Sequence, residues 1–173
     1  MKKVFIAICA LATLTFASCE KEPVGGTAQE KMAGQWYVHL QHCDSAGNVL
    51  YDGEDLFGVS PFLVLTYNDA LNSRDSLFIQ DYKQAFWDFK VKAACDQVSG
   101  TFAITGGYDY QNGISIDVTN GKILRGAAKT PSGMPADSIV FEIAFSDDPY
   151  PAAGYYHHHR ITGYRYTGLA NDD

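Results

Sequence analysis

From about residue 35 onward, apolar residues recur at every second position in short runs, and Gly, Asn, Asp and Pro break one run from the next. A period of two belongs to a strand with one face buried and the other wet, and no segment sustains the 3.6-residue period of a helix. Trp87-Asp88-Phe89-Lys90-Val91-Lys92-Ala93 is the clearest case, with apolar odd positions and charged even ones. The alternation predicts strands at Gln35–Cys43, Phe62–Tyr67, Ser76–Gln80, Trp87–Ala94, Thr101–Thr105, Ile114–Thr119, Lys122–Lys129, Ser138–Phe145 and Tyr155–Thr167. The close spacing of the runs favours an antiparallel meander over βαβ units. Asn120-Gly121 offers two residues that accept positive φ and predicts a type I′ hairpin turn. Eight or nine such strands fit a sandwich or a barrel. A barrel also removes the edges that a sandwich must protect, and the predicted fold is therefore an all-β closed barrel.

The first 18 residues read as a separate unit. Lys2 and Lys3 precede an apolar stretch from Val4 to Phe16, and Ala17-Ser18 lead into Cys19, the layout of a lipoprotein signal peptide cleaved before an acylated cysteine. The stretch is shorter than the ~20 residues that a helix needs to span a bilayer. Cys19 is thus the expected lipidation site, residues 19–30 an expected flexible tether containing Pro23, Gly25 and Gly26, and residues 31–173 a single β-barrel domain. The expected location is the cell envelope, as an outer-membrane lipoprotein on its surface or periplasmic face. Without the leader, eleven basic residues stand against twenty acidic ones, a net charge of −9. That balance argues against nucleic-acid binding, which requires clustered cations. Cys43 and Cys95 remain after Cys9 leaves and Cys19 is acylated; a disulfide between them and two buried thiols are both open.

Gly34-Gln35-Trp36, after a possible helical turn at Ala28–Ala33, resembles the G-x-W motif that opens lipocalins and other calycin barrels. In those barrels the tryptophan lies beneath an arginine of the last strand, which makes Arg160 and Arg165 cation–π candidates for Trp36. A wider resemblance runs through Tyr67-Asn68-Asp69-Ala70, Asn72 to Leu77, Phe86 to Lys92, Gly121 to Ser138 and Ile161 to Gly168. In order and spacing these blocks are similar to the Bacteroidetes lipoprotein family labelled "lipid-binding putative hydrolase". The resemblance implies an eight- or nine-stranded calycin/lipocalin-like barrel and an envelope lipoprotein, and it carries no catalytic residues over to this chain.

Ten Phe, eleven Tyr and two Trp are many for a domain this small. Trp36, Trp87, Phe89, Phe102, Ile104, Ile116, Phe141 and Ile143 are the expected lining of a barrel interior that either packs solid or admits an apolar molecule. The expected ligand is small, apolar or amphipathic and lipid-like, with no cofactor. A glycan- or protein-interaction module, with a possible envelope protein partner, is the alternative, and a hydrolase comes third. G-x-S-x-G, the sign of a nucleophile elbow, is absent from the sequence, and Ser132 falls in a Pro- and Gly-bearing loop. His157 and His159 would share one strand face and are weak metal-ligand candidates, with no third ligand nearby. Asp52-Gly53-Glu54-Asp55 lacks the alternating oxygen pattern of a calcium loop.

Overall fold

The computed structural model describes residues 26–172. The predicted leader and Cys19 lie outside the described residues. Eight strands, β1 (Gly34–Cys43), β2 (Phe62–Tyr67), β3 (Ser76–Asp81), β4 (Lys90–Asp96), β5 (Thr101–Tyr108), β6 (Ser115–Lys129), β7 (Pro135–Phe145) and β8 (His158–Arg165), follow one another around a closed antiparallel barrel. Closure comes from β1 and β8, which pair from Trp36↔Arg165 to Cys43↔His158. This is the all-β barrel expected from the alternation, with eight strands.

One strand fewer than nine results from a misread turn. Asn120-Gly121 does not reverse the chain; it lies inside β6. Asn120 does adopt the left-handed φ of 54°, but uses it for a bulge that shifts the pairing with β7 between Thr119↔Glu142 and Lys122↔Val140. The extra residue has a packing purpose. Ile116 and Val118 face the core before it and Gly121 and Ile123 after it, a change of parity that an unbroken period of two cannot make. Trp87 is a second correction: β4 begins at Lys90, so the buried alternation starts at Phe89 and the Trp87 side chain sits in the loop before it.

Trp36, Val38, Val64, Leu77, Ile79, Phe89, Val91, Ile116, Val118, Ile139, Phe141 and Ile161 have no exposed surface at all. A void large enough for a water molecule would show as accessible area on its walls, so no such void touches these side chains. The interior they share is filled rather than hollow.

The two ends differ. Met32, Trp36, Thr66 and Arg165 plug the end where β1 begins. The Trp36 indole N–H donates to Thr66 Oγ1 (2.8 Å), whose hydroxyl donates to the Met32 carbonyl (2.6 Å). The Arg165 guanidinium lies 4.4 Å from the centre of the Trp36 ring and donates to the Ala33 carbonyl (2.7 Å) and to Asp137 (3.2 Å). Residues 26–30, expected to belong to the tether, are stapled to this end: Ala28 N–H donates to Asn72, the Gln29 amide to the Ser73 carbonyl and the Gln97 amide to the Ala28 carbonyl. Cys43 and Cys95 are free thiols at opposite ends of the barrel.

Gly121 is where a substitution tests the bulge. A Cβ there would run into the Phe102 ring and carbonyl oxygen. Gly121→Ala should lower the unfolding free energy by roughly 2 kcal/mol or more, the range of overpacking against backbone, as measured by urea denaturation. An unchanged midpoint would refute the close packing of β5 on β6.

Candidate functional site

The two longest connections and two shorter ones lie at the end opposite the plug. They are residues 44–61 between β1 and β2, 82–89 between β3 and β4, 109–114 between β5 and β6, and 146–157 between β7 and β8. Each is organised by one aspartate. Asp55 accepts the backbone N–H groups of Phe57, Gly58, Val59 and Ser60 at 2.6–3.1 Å. Asp81 accepts those of Ala85, Phe86, Trp87 and Asp88 at 2.7–3.2 Å. Asp109 accepts from Lys90 and Gln111 and from the Asn112 amide at 2.9–3.0 Å. Asp148 accepts the Tyr150 N–H at 3.0 Å. A carboxylate surrounded by amide donors gives a loop the internal partners it would otherwise seek in water. Burial opposes ionisation of Asp55, but the bonds from Ser60, Phe57 and Val59 outweigh it and hold this carboxyl below the usual range. At Asp81 burial wins and pushes the carboxyl up despite its four donors.

Loops fixed in this way carry aromatic side chains over the barrel. Phe57 comes from the first loop, Phe86 and Trp87 from the second, and Tyr150 and Tyr156 from the fourth. Trp87 stacks flat on Phe145, with centroids 4.7 Å apart and planes 9° apart, and its indole N–H donates to Asp147 (3.1 Å). Phe86 packs edge-on against Trp87 (5.5 Å) and is 5.8 Å from Phe62 of β2. Left-handed backbone at the non-glycine residues Tyr51, Asp52, Lys83, Gln84 and Asp88 falls in these same loops. Such conformations cost on the order of 1 kcal/mol or more each and persist only where the surroundings enforce them.

Beneath this aromatic roof lie two imidazoles with no exposure, His42 at the end of β1 and His159 in β8, their ring centres 5.3 Å apart. Tyr156 is packed against both, at 4.7 Å from each. Asp148 Oδ2 accepts a hydrogen bond from the Tyr156 hydroxyl at 2.7 Å and lies 2.9 Å from His159 Nε2. Burial raises the Tyr156 pKa, and its bond to Asp148 adds to the effect, so the phenol stays protonated. Burial lowers His159 to about 4, against the opposing pull of Asp148, and also lowers His42 against Asp55 and Asp148. Both rings are therefore neutral at pH 7. His159 donates through Nε2, which leaves Nδ1 as a lone pair; His42 accepts the Leu56 N–H at Nε2 (3.3 Å), which places its proton on Nδ1. Neither Nδ1 has a hydrogen-bond partner among the described residues. The site thus holds one buried donor and one buried acceptor, each costing about 1–3 kcal/mol while unpaired. A hydroxyl group can serve both.

The contact of Asp148 with His159 resembles the acid–base pair of a hydrolytic triad, but the hydrogen bonds of the described residues bring no serine or cysteine to either imidazole. Ser132 is at the plugged end, bonded to Thr130 (3.0 Å). Of the predicted lining residues, Trp36, Phe89, Phe102, Ile116, Phe141 and Ile143 are inside and at most 3% exposed, Ile104 is half-buried, and Trp87 belongs to the roof. Arg165 is the arginine at Trp36. Arg160 instead pairs with Glu142 (2.8 Å) and the Gly47 carbonyl (2.7 Å) near the mouth. His157 is exposed and His159 buried, so they do not present a joint face, and no metal-binding cluster of three or more ligands occurs among the described residues. Asp55 spends its oxygens on backbone amides rather than on a cation. The His42–His159 pairing was not legible in the sequence, because the two are 117 positions apart and meet only through closure of β1 on β8.

A closed up-and-down barrel of eight strands, plugged at one end by an arginine-covered tryptophan and roofed at the other by aromatic loops, is a protein of the lipocalin-like class. Residues 21–170 match the model of the family described as "lipid-binding putative hydrolase", and the chain belongs to that family. A comparison with curated proteins gave no match.

The buried imidazoles make stability depend on pH in a defined window. A histidine whose pKa is about 4 when folded and 6.5 when unfolded leaves stability intact above pH 6.5 and removes it as pH falls towards 4, by on the order of 3 kcal/mol for His159. Urea denaturation at pH 7.5 and pH 5 should show about 2 kcal/mol of this loss, and His159→Gln should flatten the profile over that interval. An equal slope in the variant would disprove the assignment.

Proposed function

We propose that this protein binds a small apolar or amphipathic, lipid-like molecule at the roofed mouth of its barrel, without turnover, while an acylated Cys19 holds it in the cell envelope. The observation that carries this reading is the pair of unpartnered imidazole nitrogens buried under Phe57, Phe86, Trp87 and Tyr156. Apolar walls around a few convergent polar groups are the usual composition of a small-molecule site. An acyl or ring portion would replace the roof aromatics, and a hydroxyl or ester end would meet His42 and His159. Because the interior is filled, the ligand would have to displace roof side chains rather than enter a preformed hollow. The family's description and the barrel fold support a lipid as the ligand. Lack of a nucleophile hydrogen-bonded to His159 among the described residues supports binding over hydrolysis.

A second reading rests on a separate observation, the exposed tyrosines. Tyr51, Tyr150 and Tyr155 rim the mouth at 38%, 42% and 57% exposure, and Tyr108 and Tyr110 stand edge-to-face at the end of β5, 5.3 Å apart. Such rings suit a glycan or protein surface, and the filled interior is as compatible with an accessory module as with a carrier.

Native mass spectrometry of protein purified from its own host separates the two. A carrier should bring a ligand mass of lipid size, which Trp87→Ala should reduce several-fold while leaving the fold intact by circular dichroism. Protein free of bound mass in repeated preparations, together with glycan or protein capture lost on Tyr155→Ala, would replace the first reading with the second.

A further inference from the structure

The plugged end presents a face unlike the rest of the molecule. Leu71, at the tip of the β2–β3 loop, is 85% exposed, and Val98, at the tip of the β4–β5 hairpin, is 97% exposed. They are not isolated surface residues, since both loops are stapled to Ala28 through Asn72 and Gln97. Lys31, Arg74 and Arg125 surround them; Lys31, Val98 and Arg125 line one groove with the half-exposed Leu124, and Lys31, Arg74, Val98 and Arg125 line the next. Arg125 donates to the Lys31 carbonyl (3.3 Å), which fixes part of this arrangement. Aliphatic tips ringed by cations fit the boundary between acyl chains and anionic headgroups.

The opposite end has the reverse character. The four mouth loops contain Asp44, Asp52, Glu54, Asp55, Asp88, Asp109, Asp147 and Asp148 against a single base, Lys83. An anionic surface repels that end. The plugged end has acids too, Glu30, Asp75 and Asp96 among them, and Asp96 lines the second groove; there the three cations Lys31, Arg74 and Arg125 outnumber it.

We propose that the plugged end is a membrane-docking face, on which Leu71 and Val98 insert among anionic phospholipids and Lys31, Arg74 and Arg125 meet their headgroups, so that the mouth points away from the membrane. The proposal rests on the acylated Cys19 of the functional reading for its anchor. Chain geometry agrees with it. Cys19 is seven residues from Gly26, a reach of at most ~25 Å fully extended, and Gly26 is already on the plugged end. The ten residues of β1 rise about 21–25 Å along the axis of the barrel once strand tilt is allowed for. With the mouth down, nearly all of that reach would be needed merely to span the barrel; with the plug down, little of it is needed.

The test uses the full lipidated protein carrying Cys95→Ser, in vesicles of phosphatidylethanolamine and phosphatidylglycerol containing nitroxide-labelled lipid. An environment-sensitive fluorophore is placed on Leu71→Cys, Val98→Cys or Gly154→Cys, the last at the mouth. Labels at 71 and 98 should be quenched several-fold more than the label at 154, and Lys31→Glu/Arg74→Glu/Arg125→Glu should remove most of that difference. Hydrogen exchange of the unlabelled protein checks the same face independently, with residues 68–75 and 97–100 protected on vesicles and 146–157 unchanged. Protein that floats with the vesicles but shows equal quenching at all three positions, or stronger quenching at 154, overturns the docking face and leaves the anchor standing. Protein that does not float overturns both.

Discussion

Pairing of β1 with β8 brings residues from the two ends of the fold into one register, and most of what distinguishes this molecule depends on it. Trp36 opposite Arg165 makes the plug, and His42 opposite His159 makes the centre of the mouth. Both pairs belong to the same ladder, six residues apart along β1. Shifting that ladder by one residue would turn Trp36, Val38, Leu40 and His42 out of the barrel together, because side chains alternate between faces. Burial of Trp36, Val38 and Leu40 therefore secures the position of His42, and the apolar core sets the geometry of the polar site.

A filled interior moves specific chemistry to the ends. With Phe89, Phe141, Ile116 and their neighbours in contact throughout, the barrel resists deformation as any close-packed core does. What can move is the roof, whose loops are held by carboxylate-to-amide bonds and carry the strained backbone at Lys83, Gln84 and Asp88. Cores are rigid because each void costs contacts on every side. Loops clamped by one aspartate each have fewer bonds to break, and segments of low local stability are the ones that open for ligands. A packed barrel and a lipid-like ligand are compatible if the roof gives way while the wall does not.

The fold was legible in the sequence because its governing signal, the period of two, is local. It reached from Gln35 to the end of β8 and located most of the strands. It failed where local and tertiary demands separate: Asn120 has the backbone conformation that a hairpin turn requires, but β7 lies alongside on both sides of it, so the same φ produces a bulge. Trp87 fits the alternating pattern of β4 perfectly, and only the four amides gathered by Asp81 hold it in the loop instead. Arg165 was legible as a partner for Trp36 because the lipocalin-like resemblance supplied a tertiary contact. Asp148, Tyr156 and His42 had no such guide. Their spacing fits no motif, and each would pass as an ordinary loop or strand residue.

The mouth and the plug use the same device to opposite ends. At the plug, the indole N–H of Trp36 finds Thr66 and Thr66 finds Met32, so every polar step closes on a partner and the aromatic ring is locked between an arginine and the core. At the mouth, Tyr156 and His159 both close on Asp148, but the chain stops one atom short on each imidazole. Buried polar groups are satisfied in the great majority of cases, so an orphan donor and acceptor with ring centres 5.3 Å apart stand out, as a pair, from the single orphan at the plugged end, the Gln29 side-chain oxygen. The unfinished bonds are what the proposed ligand would complete: a hydroxyl on it would meet His42 and His159, while its apolar part would meet the aromatic roof.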